Sequence, residues 1–71
     1  MTQRPELESI VLGWDRAAII RRDVVARKKC WEILDALNRD RGRAMALNHL
    51  RGMKQTDSVR EIVAELERRE A

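Results

Sequence analysis

Residues 21–30 read RRDVVARKKC: five basic side chains in ten positions, broken by one acid, two valines and an alanine. The reading of this stretch decides the fold. From Asp15 to about Arg39 the chain holds neither Pro nor Gly, so a single central helix is expected there, closed by Arg41-Gly42 as a left-handed stop. With Arg16 set at zero and 100° allowed per residue, Arg21, Arg22, Lys28 and Lys29 fall between about 120° and 240°. Glu32 shares that arc, as expected of the solvated side of an amphipathic helix.

The opposite side of this helix is apolar over roughly 200°, about twice what packing on one neighbour needs. It divides into a stripe of Ile19, Ala26, Cys30, Ile33 and Leu37 and a second stripe of Ile20, Val24 and Trp31. Arg16, Asp23, Arg27 and Asn38 lie between them, and Asp23 and Arg27, spaced i, i+4 in the acid-first order, are expected to pair. Such a helix must be covered from two directions. Any stripe that the chain's own helices leave open is expected to dock a second copy or another protein.

Working outward, Pro5 suits a first helical position, and Glu6 and Glu8 lie in a first turn where carboxylates favour the positive end of the helix dipole. Leu7, Ile10, Val11 and Trp14 keep the i, i+3, i+4, i+7 spacing of one buried stripe. Gly13 is expected to break or kink this helix, with Asp15 capping the next. Beyond Gly42 a short helix fits Arg43 to Arg51, with Ala46, Leu47, Leu50 and Met53 inward and Gly52 as terminator. Ser58 and Glu61 read as a capping box for a last helix buried along Val59, Ile62, Val63 and Leu66. On its solvated side Glu65 can pair with Arg68 or Arg69. No segment alternates apolar and polar residues over a strand's length. The expected fold is all-α: one domain over residues 1–71, a small three- or four-helix bundle with one long central helix.

A chain of 71 residues makes a thin core. Domains this small usually gain a disulfide, a metal or a second subunit. Cys30 is the only cysteine and His49 the only histidine, which excludes an internal disulfide and falls short of a four-ligand zinc site. A homodimer is therefore expected. Trp14 and Trp31 are the only aromatic residues. Core volume is their ordinary use, and the centre of an interface the second. The candidate partner-binding residues are Ile20, Val24, Arg27, Trp31 and Trp14.

Charge is unevenly spread. Residues 16–29 carry Arg16, Arg21, Arg22, Arg27, Lys28 and Lys29 against Asp23, a net +5 in a chain of net +3. If the loop RDRGRAM lies beside this basic run, Arg21, Arg22, Lys28, Lys29, Arg39, Arg41 and Arg43 form a patch able to neutralise phosphates. A nucleic-acid-binding helical regulator is thus the alternative reading. Residues 43–69 have the gross shape of a helix-turn-helix. The helix that would read bases, however, carries Glu61, Glu65, Glu67 and Glu70, which repel phosphate.

Chemistry is not indicated. Cys30 sits in the apolar arc, where a thiol is an inert core residue, and His49 is expected to interact with a helix C-terminus or a partner. No glycine-rich phosphate loop and no carboxylate pair in an apolar pocket is present. The expectation is a non-enzyme without catalytic residues, cofactor, metal or small-molecule substrate. With no bilayer-length apolar run and no leader-like N-terminus, a cytoplasmic location is expected. The sequence therefore points to a small protein-binding module acting by stoichiometric occlusion of a partner protein. Adaptors, regulators and inhibitors work this way, including those encoded by phages and mobile elements.

Overall fold

The break in the chain lies inside the quoted stretch. Asp23 has an extended backbone (φ −96°, ψ 92°), and its Oδ1 accepts the N–H of Ala26 at 3.0 Å, the geometry of a helix N-cap. Arg22 before it stands at φ 58°, in the left-handed region. The Arg22 N–H donates to the Ile19 carbonyl at 3.0 Å and the Asp23 N–H to that of Ala18 at 2.9 Å. These two bonds are the Schellman ending of a helix, with an arginine where glycine usually stands.

The computed structural model describes residues 5–70, apart from the side chain of Glu70. The elements are α1 (Pro5–Arg21), α2 (Val24–Arg39), α3 (Arg43–Arg51) and α4 (Asp57–Glu70), with no strand among the described residues. The all-helical class is as expected. The single central helix over Asp15 to Arg39 is not formed, because Arg22 and Asp23 turn the chain back on itself. Gly13 does not break α1, which runs straight through it. Nothing packs against that glycine, so its backbone freedom opposes the helix without a neighbour to exploit it.

Because only Arg22 and Asp23 separate them, α1 and α2 form an antiparallel hairpin. Asp15 on α1 meets Arg27 on α2 at 3.3 Å, and further from the turn the Asn38 amide faces the Glu8 carboxylate. The pairing expected between Asp23 and Arg27 is replaced: Asp23 caps α2, and Arg27 reaches across to the buried Asp15.

Helix α2 ends at Asp40, which takes the left-handed conformation (φ 56°), and Gly42 (φ 68°) opens α3. The left-handed stop thus falls at Asp40, one residue before Arg41-Gly42. Gly52 ends α3 with right-handed dihedrals (φ −83°, ψ −6°). Helix α4 starts two residues before the expected capping box: the Thr56 hydroxyl accepts the Val59 N–H at 3.3 Å, and Ser58 lies already inside the helix.

One continuous core joins the four helices. Leu7 and Val11 from α1 meet Cys30, Ile33, Leu34 and Leu37 from α2, Leu47 and Leu50 from α3, and Val59, Ile62 and Leu66 from α4. Trp14, Ile10, Met53 and Val63 pack against its edge. Two polar ties fix neighbouring helices. His49 Nε2 of α3 bonds Glu32 Oε2 of α2. Glu65 of α4, expected on a solvated face, is instead buried and held by Arg68 and Arg69. Arg69 goes on to donate to the Ala36 and Leu37 carbonyls at 3.3 and 2.6 Å, satisfying groups that the end of α2 leaves open. Burial alone would raise the Glu65 pKa, and the Arg69 and Arg68 guanidinium groups outweigh it, so the carboxyl is held below its ordinary value.

Candidate functional site

The hairpin spends its apolar side chains unevenly. On α2, Cys30, Ile33, Leu34 and Leu37 turn inward, and α1 contributes Leu7, Val11 and Ala18. Of the first stripe read from the sequence, Cys30, Ile33 and Leu37 are buried, Ala26 is half-buried and Ile19 is exposed. The second stripe stays in water: Ile20 is 79% exposed, Val24 76% and Trp31 52%. Leu12 and Val25 are exposed as well, so every exposed large apolar side chain among the described residues except Met45 belongs to this hairpin.

These side chains occupy two flanks. With 3.6 residues per turn, Val24, Lys28 and Trp31 share one line along α2, and Leu12, Arg16 and Ile19 share one line along α1. The Asp15–Arg27 bridge crosses the seam between those lines, since both residues sit on the inner side of their respective lines. The outer face is therefore an apolar strip with one neutralised ion pair at its middle and Arg16 and Lys28 standing in it. Ile20 projects from the last turn of α1, at the same end as Val24.

On the other flank of α2 a groove of about 410 Å³ opens between α1, α2 and the end of α3. Trp14, Ala17, Ala26, Cys30, Ile33 and Met53 form its apolar wall, and Val25 its lip. Arg21, Lys29, Asp23 and His49 supply its polar groups. Asp23 is already engaged, with Oδ1 on the Ala26 N–H and Oδ2 3.9 Å from Arg21. Burial raises the Cys30 thiol pKa, with Asp15 adding to the rise and Arg21 opposing it, so a thiol within the core remains protonated.

The candidate partner-binding residues therefore separate. Ile20, Val24, Arg27 and Trp31 are all on the exposed side of the hairpin. Trp14 is half-buried on the opposite flank, in the groove. Trp31 does not serve the core volume that is a tryptophan's ordinary use, and Trp14 does in part.

The basic residues separate too. Arg21, Arg22, Lys28 and Lys29 are exposed near the turn, and the last three make no ion pair among the described residues. Arg39, Arg41 and Arg43 stand at the far end of α2, and Lys28 to Arg39 alone spans about 16 Å of helix axis. There Arg39 pairs with Asp35 at 3.6 Å and Arg43 with Asp40 at 3.0 Å. The loop thus does not lie beside the basic run, and the seven cations do not make one patch. Within α4, Glu65 turns inward while Glu61 and Glu67 are exposed; the Glu70 side chain is outside the described residues.

The groove and the Glu32–His49 tie are not legible in the sequence, because both depend on where α3 lies against α2. The only signal for the turn that creates them was Asp23, a capping residue directly before Val24. No group of three or more His, Cys, Asp or Glu among the described residues is placed to hold a metal ion, and none of the described helices is long and apolar enough to cross a membrane. Comparison with family models, with curated proteins and with solved structures finds no match to this chain.

Proposed function

We propose that the chain is a non-enzymatic protein-binding module that acts by stoichiometric occlusion, with the α1–α2 hairpin as its docking element. One observation carries this reading: Leu12, Ile19, Val24 and Trp31 remain exposed along the outer face of two adjacent helices, with Ile20 beside them at the turn. Scattered surface apolar residues need no explanation, whereas a contiguous strip of this kind marks an interaction surface. Each such side chain gains about 1 to 2 kcal/mol when fully covered, and Trp adds a large rigid contact area.

The outer strip suits a second copy. A two-fold contact sets the same patch against itself, and Asp15 removes the charge of Arg27 from its centre. The resulting homodimer would supply the burial that a thin core lacks. Light scattering at micromolar concentration tests this, with Trp31→Lys as the variant that returns the protein to monomer without loss of helix content. A wild-type monomer that also retains no protein partner on capture defeats the reading.

The nucleic-acid alternative keeps one observation in its favour, the unpaired Arg22, Lys28 and Lys29 near the turn. Duplex or single-stranded binding that weakens steeply between low and physiological salt supports it, and absence of binding at low salt excludes it.

A further inference from the structure

We infer that the groove between α1, α2 and α3 seats apolar side chains of an acidic, amphipathic segment of a partner protein, with Arg21 and Lys29 meeting its carboxylates. This rests on the protein-binding reading and specifies the partner's chemistry. It concerns a different surface from the outer strip, on the opposite flank of α2.

Shape and polarity come first. A space of about 410 Å³ with a wall of Trp14, Ala17, Ala26, Cys30, Ile33 and Met53 is large enough for two or three aliphatic or aromatic side chains and offers them little to hydrogen-bond. Its polar groups are Arg21, Asp23, Lys29 and His49. Asp23 is occupied as the α2 cap, and His49 is held by Glu32, so the cations Arg21 and Lys29 are the groups left to face an incoming chain. Arg21 is only loosely tied, 3.9 Å from Asp23 with its side chain 59% exposed, and Lys29 makes no ion pair among the described residues.

Charge then selects the occupant. The turn and its flanking helices, residues 15–29, carry a net +4 with Asp15, the partner of Arg27, included, a field that draws acidic chains and repels basic ones. A phosphate backbone answers the charge but leaves the apolar wall and the Val25 lip wet, so it covers only half of the site. A second copy lacks the carboxylates: among the described residues the large apolar side chains left exposed, Met45 apart, stand among Arg16, Arg21, Arg22 and Lys28, so a copy can pack on the outer strip but brings no acid-flanked apolar stripe to the groove. An amphipathic helix with carboxylates flanking an apolar stripe satisfies both halves, the helix-in-groove mode of recognition.

The test uses the full chain, isotope-labelled for NMR, and three synthetic peptides of about 18 residues. The first is Glu-rich with leucines at i, i+3, i+4 and i+7. The second replaces those leucines by serine, and the third replaces the glutamates by lysine. A 20-base-pair duplex DNA is titrated in parallel. The expected result is saturable binding of the first peptide alone, with shifts at the Trp14 indole, Ala17, Ala26 and Met53. In Arg21→Glu/Lys29→Glu binding should weaken at least tenfold while the circular dichroism spectrum is unchanged. Filling the groove by Ala17→Leu should weaken it without altering charge, which keeps the test decisive if the double variant folds poorly. Binding whose shifts fall on Leu12, Ile19 and Trp31 overturns the groove and leaves the protein-binding reading standing. Equal binding of the serine peptide, or binding of DNA alone, overturns the inference in favour of plain charge attraction. No shift with about 1 mM of the first peptide overturns it as well.

Discussion

Removing Arg69 should nearly unfold this protein, although the residue is one of 15 basic side chains in a chain whose surface is crowded with them. Its guanidinium and the Glu65 carboxylate are side chains only 9% and 7% exposed, with Nε to Oε2 at 2.9 Å. Arg69→Met keeps the apolar stem, deletes the charge, and withdraws the donor from the Ala36 and Leu37 carbonyls. Breaking a buried pair costs about 3 to 5 kcal/mol, because the remaining charge stays desolvated. Arg68 still reaches Glu65 from its exposed side, which puts the cost near the lower end, about 3 kcal/mol. A core of this size supplies only about 3 to 5 kcal/mol in total. Urea unfolding followed at 222 nm, with a slope of about 1 kcal/mol/M, should therefore show the midpoint falling by about 3 M or no folded baseline at all. The double variant Glu65→Leu/Arg69→Met removes both charges and should recover most of that loss, since an apolar pair of similar volume replaces a buried ion pair at little or no cost. The sign with pH follows from the lowered Glu65 pKa. Its contribution is fully present above the ordinary carboxyl value of 4.5 and is lost as pH falls through the lower folded value. Glu65→Gln should flatten that acid limb. If Arg69→Met shifts stability by less than about 0.5 kcal/mol, the pair is a surface pair in practice.

Three further predictions concern the helices and their ends. Gly13→Ala lies mid-helix with open space where the methyl would go, and should raise stability by about 1 kcal/mol in the same urea assay. Arg22→Gly relieves a left-handed arginine and should gain up to about 1 kcal/mol, a gain that would be absent if the turn were not at residue 22. Thr56→Ala should cost about 1 kcal/mol by removing the acceptor for the Val59 N–H, while Ser58→Ala should change stability little; the opposite order would place the cap at Ser58.

The all-helical class and most of the core were legible because burial leaves a 3.6-residue signature that no neighbour is needed to read. Leu7, Val11, Cys30, Ile33, Leu37, Ala46, Leu47, Leu50, Val59, Ile62 and Leu66 all fall on their expected inner stripes. The turn was not legible, because its signal is split. Glycine is the usual left-handed residue, and here arginine occupies that position while the nearby glycine at 13 lies in an uninterrupted helix. Asp23 had two uses open to it, capping α2 or pairing with Arg27, and only the tertiary fold decides between them. The choice falls on capping because Asp15 is brought within reach of Arg27 once the chain turns. Glu65 was misplaced for a related reason. Its spacing to Arg68 and Arg69 is that of any solvated i, i+3, i+4 network, and it is buried only because α4 carries Arg69 against the open carbonyls at the end of α2.

The turn at Arg22–Asp23 also changes what the apolar arc means. In one straight helix, residues 19 and 20 would continue the stripes of residues 26 to 37, and two layers of neighbours would be needed along the whole rod. Folding the rod in half lets each half cover part of the other, so Cys30, Ile33 and Leu37 find their partners inside the chain. It also reverses the direction of the chain, so Ile19, Ile20 and Val24 no longer extend a buried stripe and are gathered with Arg21, Arg22 and Lys28 around one end of the hairpin. The apolar surface left open shrinks from a whole flank to the outer strip and the groove. The same two-residue turn that removes the central rod therefore concentrates exposed apolar surface and positive charge where a partner would meet both together.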